Sequence, residues 1–162
     1  MGRVILDWHE LASTLDERRR AGESIVSTNG VFDVLHVGHA RYLQAARSLG
    51  DLLVVGVNSD SGTRSLKGPT RPFVPQAERM ELLAALACVD FVTLFGEPSP
   101  EALLELIRPG IHAKGGDYHP ALLPEAAVVE RHGGRLAILP FESGYSTTDF
   151  VERIGRLLAG RE

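Results

Sequence analysis

Short apolar, β-branched segments alternate with amphipathic helical segments along almost the whole sequence. Strands are predicted over residues 24–28, 52–57, 91–95, 111–114 and 136–139. Helices are predicted over residues 8–20, 38–49, 75–87, 101–107 and 124–132, and a last helix carries an apolar stripe formed by Phe150, Val151, Ile154, Leu157 and Leu158. The alternation predicts βαβ units, and therefore a doubly wound α/β fold in which helices cover both faces of a parallel sheet.

The chain length allows one domain with one core. The sequence has 162 residues, and a domain takes roughly 100 to 200 residues. No internal repeat, low-complexity segment or linker divides it. We therefore predict a single domain over residues 1–162, with a leading helical segment at 1–22 and the core at 23–158. Parallel sheets of this type bind ligands at the carboxyl ends of their strands, so functional residues are expected in the loops that follow strands.

Charge and hydropathy argue against two classes of partner. The 17 basic and 21 acidic residues give a net charge of −4, whereas nucleic-acid-binding domains carry a basic excess or stripe. The longest apolar runs fall short of the ~18 residues that a membrane span needs, and the N-terminus lacks the pattern of a secretory signal. We therefore expect a cytoplasmic protein that binds neither nucleic acid nor membrane. The single cysteine, Cys88, allows no intrachain disulfide and no zinc–cysteine cluster, and it is expected to pack in the core.

The loop after the first predicted strand carries the strongest chemical signal. It has the sequence T-N-G-V-F-D-V-L-H-V-G-H over residues 28–39 and enters the next helix at about Gly38. Free N–H groups at a helix start favour an anion, Gly38 permits close approach of a phosphate, and His36 and His39 supply donors. We interpret this segment as a phosphate site. A pair of metal ligands, without a carboxylate or cysteine at familiar zinc spacing, and histidines with a structural role are the alternatives.

Basic residues in two later segments are candidates for balancing phosphate charge. Lys67 lies in a polar stretch after the second predicted strand, close to Arg64 and Arg71, and we predict a cationic loop that closes over phosphates. Arg79 lies in the first turns of a predicted helix, where the helix dipole disfavours a cation. A cation in an unfavourable place indicates that it binds a ligand. The alternatives are a solvated charged loop around Lys67 and a surface ion pair between Arg79 and Glu78 or another acid.

Two further loops have compositions suited to a nucleotide. In K-G-G-D-Y, at residues 114–118, the two glycines permit unusual backbone conformations that could line a base or ribose, and Asp117 could accept ribose hydroxyls. Ser146, Thr147 and Thr148 place three hydroxyls at the start of the last helix, where they could cradle phosphates. A plain turn and a helix cap are the corresponding alternatives.

In order and spacing, these segments resemble the cytidylyltransferase-like branch of the nucleotidyltransferases, the group that shares the H-x-G-H signature with class I aminoacyl-tRNA synthetases. The resemblance covers about residues 5–157 and continues through V-N-S-D at 57–60, L-K-G-P-T-R-P at 66–72, E-R-M at 78–80 and G-Y-S-T-T at 144–148. It is strongest to the adenylyltransferase domains of bifunctional heptose-phosphate kinase/adenylyltransferases. Val31 and Tyr145 stand where that family often has cysteine, and residues 122–124 also depart from it, so the acceptor stays open.

The resemblance implies a Rossmann-like domain that transfers AMP from ATP to D-glycero-β-D-manno-heptose 1-phosphate, with Mg²⁺ as cofactor and pyrophosphate as product. It implies catalytic roles for His36, His39 and Lys67, acceptor binding by Asp33, Asn58 and Arg71, and a homo-oligomer, dimer or higher. The implied nucleotide-binding residues are Asn29, Gly30, Phe32, Gly38, Arg79, Lys114, Gly115, Asp117, Ser146, Thr147 and Thr148. No metal ligand from the protein is expected, although Asp33 is a candidate outer-shell partner of the Mg²⁺.

Three other functions stay open at this point. A glycerol-3-phosphate cytidylyltransferase and an FMN adenylyltransferase share the histidine motif and the reaction type. A nucleotide-binding regulator without catalytic activity belongs to a different class. The choice of nucleotide and acceptor distinguishes the cytidylyltransferase and the FMN adenylyltransferase from the heptose enzyme. Release of pyrophosphate distinguishes each of these enzymes from the regulator.

Overall fold

A computed structural model describes residues 1–116, 123–140 and 147–160 of the chain. In these parts of the chain, six strands form one sheet in which every neighbouring pair is parallel. The strands are β1 (Arg3–Val4), β2 (Ile25–Gly30), β3 (Leu52–Asn58), β4 (Phe91–Phe95), β5 (Ile111–Gly115) and β6 (Arg135–Leu139). Their order across the sheet is β1-β4-β3-β2-β5-β6. The predicted Rossmann-like α/β fold is confirmed.

Seven helices accompany the strands within the described residues. They are α1 (Trp8–Arg20), α2 (Val37–Arg47), α3 (Asp60–Lys67), α4 (Gln76–Ala84), α5 (Glu101–Ile107), α6 (Pro124–Arg131) and α7 (Thr147–Ala159). The predicted helices at 8–20 and 101–107 coincide with α1 and α5, and the others differ from α2, α4 and α6 by a few residues at their ends. Along the described residues, no helix is both long enough and apolar enough to cross a membrane.

Two elements differ from the sequence prediction. The stretch after β3, which was expected to be a loop, contains the helix α3. This helix buries only Gly62 and Thr63, and its one large apolar residue, Leu66, is exposed, so the segment lacks the apolar stripe from which helices are recognised. Ser59 caps its start by accepting a hydrogen bond from the Gly62 amide at 3.0 Å. The strand β1 is only two exposed residues long and is recognisable only from its pairing with β4.

The core lies on both faces of the sheet. One cluster packs α2 and α4 against the strands through residues that include Leu43 and Leu83, and the other packs α1 and α5 through residues that include Leu11 and Leu103. All seven residues of the central strand β3 are buried. The leading helix α1 is therefore part of the core packing. Cys88 is half-buried against the first cluster, and burial raises the pKa of its thiol.

The order of the strands reverses direction beside β2. The chain runs outward from β2 to β3 and β4 on one side, and β5 and β6 lie on the other side. In open parallel sheets, ligands bind at such a switch point, outside the carboxyl ends of the two strands that flank it. The fold therefore brings the ends of β2 and β5 together with the first turn of α2.

Candidate active site

A cavity of about 360 Å³ opens at this switch point. Six of the predicted nucleotide-binding residues and both predicted catalytic histidines line it. These residues come from the end of β2, the loop and first turn of α2, and the end of β5; they are Asn29, Gly30, Phe32, His36, Gly38, His39, Lys114 and Gly115. The structure thus brings two loops that are far apart in sequence to the walls of one cavity.

The two histidines form a stacked pair at the start of α2. Their ring centroids lie 3.8 Å apart with an interplanar angle of 24°. His36 is the N-cap of α2, and its Nδ1 accepts a hydrogen bond from the His39 amide at 3.4 Å. In a neutral imidazole, a nitrogen that accepts leaves the proton on the other nitrogen, so His36 presents Nε2–H as a donor. The cap therefore fixes which atom of His36 can hold a ligand.

Both histidines are neutral at pH 7 in the free protein. Burial, and secondarily the neighbouring His36, lowers the pKa of His39 to about 4, and burial also lowers the pKa of His36. Among the described residues, Nδ1 of His39 is buried without a hydrogen-bond partner. Burial of a nitrogen without a hydrogen-bond partner costs free energy, and a ligand that supplies the missing hydrogen bond removes that cost. The pair is thus suited to an anion such as a phosphate.

Phe32 forms the wall of the cavity beside His39. Its backbone takes a left-handed conformation, with φ of 50°, and its ring centroid lies 5.4 Å from that of His39. A side chain at Gly30 would place Cβ 3.0 Å from the Phe32 ring, so glycine leaves the space that this ring occupies. Gly30 and Phe32 therefore shape the cavity together, beside the ring that would face a phosphate.

A buried hydroxyl joins α2 to the sheet behind the cavity. The Tyr42 hydroxyl lies 2.7 Å from Thr28 Oγ1 and donates to the Ala113 carbonyl at 3.0 Å. Burial raises the pKa of Tyr42 to about 12, so the phenol is neutral at physiological pH. Because Thr28 belongs to β2 and Ala113 to β5, this side chain holds the start of α2 against both strands at the switch point.

Lys114 extends from the end of β5 into a polar set on the other side of the cavity. Its Nζ donates to Asn29 Oδ1 at 3.1 Å and forms an ion pair with Glu125 of α6. Glu125 is buried; burial by itself would raise the pKa of this carboxyl, but the hydrogen bond and charge of Lys114 lower it overall. Glu125 was not among the predicted site residues, because it lies in the first turn of α6, outside the K-G-G-D-Y segment that carried the prediction, and no motif marks it.

Arg79 is placed differently from the sequence expectation. Its side chain is fully buried, and its guanidinium donates to three backbone carbonyls, those of Val31, Asn58 and Val74. Its Nη2 also contacts Asp60 Oδ1 at 2.8 Å. The alternative of an ion pair with another acid is confirmed for the partner, Asp60, but wrong for the location, because the Arg79 side chain is buried rather than at the surface. Direct contact with a phosphate stays a prediction, and in this structure Arg79 ties the loop after β2 to the ends of β3 and α3.

The predicted acceptor residues Asp33 and Arg71 bind each other. Asp33 is buried, forms an ion pair with Arg71, and accepts hydrogen bonds from the amides of Phe73 and Val74 at 2.7 and 3.0 Å. The Arg71 guanidinium also lies 4.3 Å above the centre of the Phe73 ring. This arrangement folds the 71–74 segment onto the loop after β2. Their binding of an acceptor stays a prediction, as does that of Asn58, which is buried at the end of β3.

The other predicted residues lie away from the cavity or outside the described residues. Lys67 is the last residue of α3 rather than part of a loop, and it is exposed and absent from the cavity wall. Thr147 begins α7. Asp117, Tyr145 and Ser146 and the side chain of Thr148 lie outside the described residues. The roles of all these residues stay predictions.

The cavity also has walls that the motifs did not indicate. These walls are Arg41, Tyr42 and Ala45 of α2 and Leu139 and Pro140 at the end of β6, and Val31, which lies inside the 28–39 motif, lines the cavity as well. Helical periodicity was a usable signal for α2, because Gly38, Arg41 and Ala45 are spaced three and four residues apart and so share one helix face. The β6 contribution depends on the sheet order, which the sequence does not state.

Comparison with known proteins agrees with this geometry. The family model described as cytidylyltransferase-like matches residues 27–153. The chain is 50% identical over 144 residues to "Bifunctional protein HldE" of Syntrophotalea carbinolica, and 51% identical over 136 residues to the protein of the same name from Cronobacter sakazakii. These matches cover 89% and 84% of the chain but only 29% of each relative. A crystal structure titled "lipopolysaccharide core biosynthesis protein" from Thermoplasma volcanium is 30% identical, with a TM-score of 0.63, and covers 77% of the chain and 100% of that protein.

Proposed function

The chain belongs to the cytidylyltransferase-like family and is a nucleotidyltransferase, and we propose that it transfers AMP from ATP to D-glycero-β-D-manno-heptose 1-phosphate. The product would be ADP-heptose, with release of pyrophosphate. Support for this acceptor comes from the relatives named HldE and from the neighbour whose title refers to lipopolysaccharide core biosynthesis. The chain spans less than a third of those relatives' length, so only the activity that fits this one domain is proposed.

The observation that carries the proposal is the stacked histidine pair at the start of α2, at the wall of the switch-point cavity. An oxygen of the sugar phosphate would attack the α-phosphorus of ATP in line. The new P–O bond forms as the bond to the β-phosphate oxygen breaks, and pyrophosphate leaves with that electron pair. The attacking phosphate is already anionic, so no general base is needed. Catalysis then depends on positioning and on stabilising charge at the α-phosphorus.

The geometry suits the histidines to that second task. Donors at the same wall of the cavity come from Nε2–H of His36, the ring of His39 and the free amides at the start of α2, and the positive end of the helix also favours an anion there. Since both rings are neutral in the free protein, they act as oriented dipoles until a polyphosphate arrives. The bound negative charge then favours protonation of His39, which strengthens its hydrogen bond to the phosphate, whereas His36 stays neutral because its Nδ1 accepts the capping hydrogen bond.

The remaining roles belong to the same proposal. Lys67 and the hydroxyls of Ser146, Thr147 and Thr148 would bind the departing pyrophosphate. Within the described residues, no three His, Cys, Asp or Glu side chains form a metal site, and the cavity wall includes no carboxylate. Mg²⁺ would therefore enter as the Mg–ATP complex, held by phosphate oxygens and water, as is common at nucleotide sites. A cytoplasmic location and a homo-oligomeric state complete the proposal.

The test is an acceptor and nucleotide screen with pyrophosphate release as the readout. ATP and CTP are each supplied with Mg²⁺ and with heptose 1-phosphate, glycerol 3-phosphate or FMN. We expect rapid release only with ATP and heptose 1-phosphate, and ADP-heptose as the second product. His36→Ala and His39→Ala should each lower turnover by ~100-fold, the usual cost of one oriented donor. His9→Ala, at an exposed histidine of α1, is the matched control and should retain full activity.

The other outcomes each select a different function. Turnover with CTP and glycerol 3-phosphate, or with ATP and FMN, would replace the proposed substrates and retain the reaction. Binding of ATP without pyrophosphate release for any acceptor would favour a nucleotide-binding regulator and overturn the enzyme proposal.

A further inference from the structure

Lys114 lines the cavity, and its charge is already balanced by a carboxylate. Its ammonium contacts the carboxylate of Glu125, and the two side chains are only 19% and 6% exposed. A cation paired at such close range attracts a distant anion less, because the carboxylate cancels most of its field. Lys114 is therefore poorly suited to serve as the counter-charge for a triphosphate.

The same contacts suit Lys114 to a different task. An ammonium has three N–H donors, and among the described residues Asn29 Oδ1 and Glu125 take two of them. Lys114 also lines the cavity, and within residues 1–116, 123–140 and 147–160 no group accepts its third N–H, so we take this N–H as the donor to a ligand. The two acceptors come from different elements, β2 and α6, and together they restrain a side chain that is otherwise long and flexible. The result is an oriented donor with little net charge.

In the part of the chain that the structure describes, neighbouring groups do not change this balance. His112 lies two residues before Lys114 on the same face of β5, and its Nδ1 is 2.8 Å from Ser27 Oγ. Burial, and secondarily the charge of Lys114, lowers the pKa of His112 to about 3, so that imidazole is uncharged at neutral pH. The local charge pair thus consists of Lys114 and Glu125, with neutral polar groups on β2 beside them.

We propose that Glu125 is a positioning residue which, with Asn29, holds Lys114 as an oriented donor to uncharged atoms of the nucleoside part of the nucleotide. This inference rests on the proposed nucleotidyltransferase function and adds a division of labour to it. The histidine pair and the start of α2 bind phosphate, whereas the set of Asn29, Lys114 and Glu125 recognises the nucleoside. Glu125 acts only through Lys114 and touches neither substrate.

The experiment compares Glu125→Gln with Glu130→Gln. Both remove one carboxylate from α6, but Glu130 is exposed and serves as the matched control. Steady-state kinetics with ATP should show that Glu125→Gln raises KM by about 10-fold at unchanged kcat, the size of one hydrogen bond to a charged group. A merely structural role would instead lower the amount of active protein, and with it the apparent kcat, at an unchanged KM. Glu130→Gln should leave both constants as in the wild type.

Calorimetric titrations of the same proteins separate the two parts of the nucleotide. Glu125→Gln should weaken the binding of ATP and AMP and should not weaken the binding of tripolyphosphate, because the charge of Lys114 is no longer cancelled by a carboxylate. Lys114→Met should likewise weaken the binding of ATP and AMP. Adding Glu125→Gln to Lys114→Met should cause no further loss, because Glu125 acts through Lys114. Glu125→Asp retains the charge with a shorter reach, so KM for ATP should rise by less than in Glu125→Gln.

Four results would overturn the inference. The first is a folded Glu125→Gln protein whose KM for ATP is unchanged. The second is a loss of tripolyphosphate affinity as large as the loss of ATP affinity, and the third is a double variant whose loss of ATP affinity is the sum of the two single losses. If Glu125→Gln does not fold, the fourth is an unchanged KM for ATP in Glu125→Asp. A wild-type chain that binds neither ATP nor AMP would refute the proposed function itself, and this inference with it. A wild type that binds both, with variants that bind them equally well, would refute the inference alone.

Discussion

His112 provides a direct test of how the buried polar groups at the switch point affect stability. The residue is fully buried in β5, and its Nδ1 contacts Ser27 Oγ at 2.8 Å. Among the described residues its Nε2 has no hydrogen-bond partner. The folded protein therefore disfavours the protonated ring, because protonation would place an unpaired charge in the core beside Lys114. We expect His112→Gln, which is neutral at every pH, to remove this penalty.

The sign and size follow from the pKa of His112, which is lowered from 6.5 to about 3. The unfolded chain binds the proton more tightly, so the contribution to stability is complete above pH 6.5 and is lost as the pH falls towards 3. At pH 5 the unfolded ring is protonated in a ratio of ~30 to 1, whereas about 1% of the folded ring is protonated, which corresponds to ~2 kcal/mol. His39, with a pKa of about 4, contributes a loss of similar size.

Urea unfolding at pH 7.5 and pH 5.0 measures this effect. The free energy of unfolding of the wild type should fall between the two pH values by ~2 kcal/mol more than that of His112→Gln. Shifts from the carboxylates are common to both proteins and cancel in that difference. His9→Gln, at an exposed position, should behave as the wild type. An equal loss in His112→Gln and in the wild type would refute the argument that burial keeps this ring neutral.

Three further substitutions test other parts of the structure. Arg79→Met should lower the free energy of unfolding by about 3 kcal/mol or more, since it removes a fully buried cation and leaves three carbonyls and Asp60 without their partner. An effect below about 1 kcal/mol would contradict the role of Arg79 in holding the loop after β2. Gly56→Ala would place Cβ 2.6 Å from Leu103 Cδ2, so urea unfolding should show a free energy of unfolding that is lower by about 1–3 kcal/mol. Gly155→Ala is the control: its Cβ would meet no atom within 4 Å, so the substitution should be neutral or stabilising. Tyr42→Phe should lower the free energy of unfolding by about 1–3 kcal/mol, because it removes the hydrogen bonds of the buried hydroxyl to Thr28 Oγ1 and to the Ala113 carbonyl, and an unchanged urea midpoint would rule out those contacts.

The predictable part of the fold is the part with strong periodicity. The strand at 52–57 is apolar throughout because β3 is buried on both faces, and helices α1 and α5 have regular apolar spacing on a single side. The helix α3 lacks that spacing because it lies at the surface and is held by its cap and by Asp60 rather than by apolar burial. A polar composition was therefore interpreted as a loop, although the local capping signal at Ser59 was present in the sequence.

For the site, the sequence predicted which segments meet but not which side chains reach the cavity. Residues 28–39 and 114–115 follow neighbouring strands, so their meeting is a consequence of the fold class. The destination of a charged side chain depends on partners that are distant in sequence. Arg79 binds carbonyls at Val31 and Asn58, which lie 48 and 21 residues away, and no local pattern encodes that contact.

Those distant contacts link the predicted phosphate loop to the rest of the sheet. The loop after β2 contains two features that the sheet does not stabilise. Phe32 has a left-handed backbone conformation, and the Val31 carbonyl lies beyond the end of β2. Arg79 binds that carbonyl, and Asp33 accepts two amides from the 71–74 segment. The residues that resemblance assigns to substrates thus hold the loop that presents His36 and His39. A change at Arg79 or Asp33 would therefore reduce activity even without touching a nucleotide, and only a stability measurement made alongside the kinetics can tell the two roles apart.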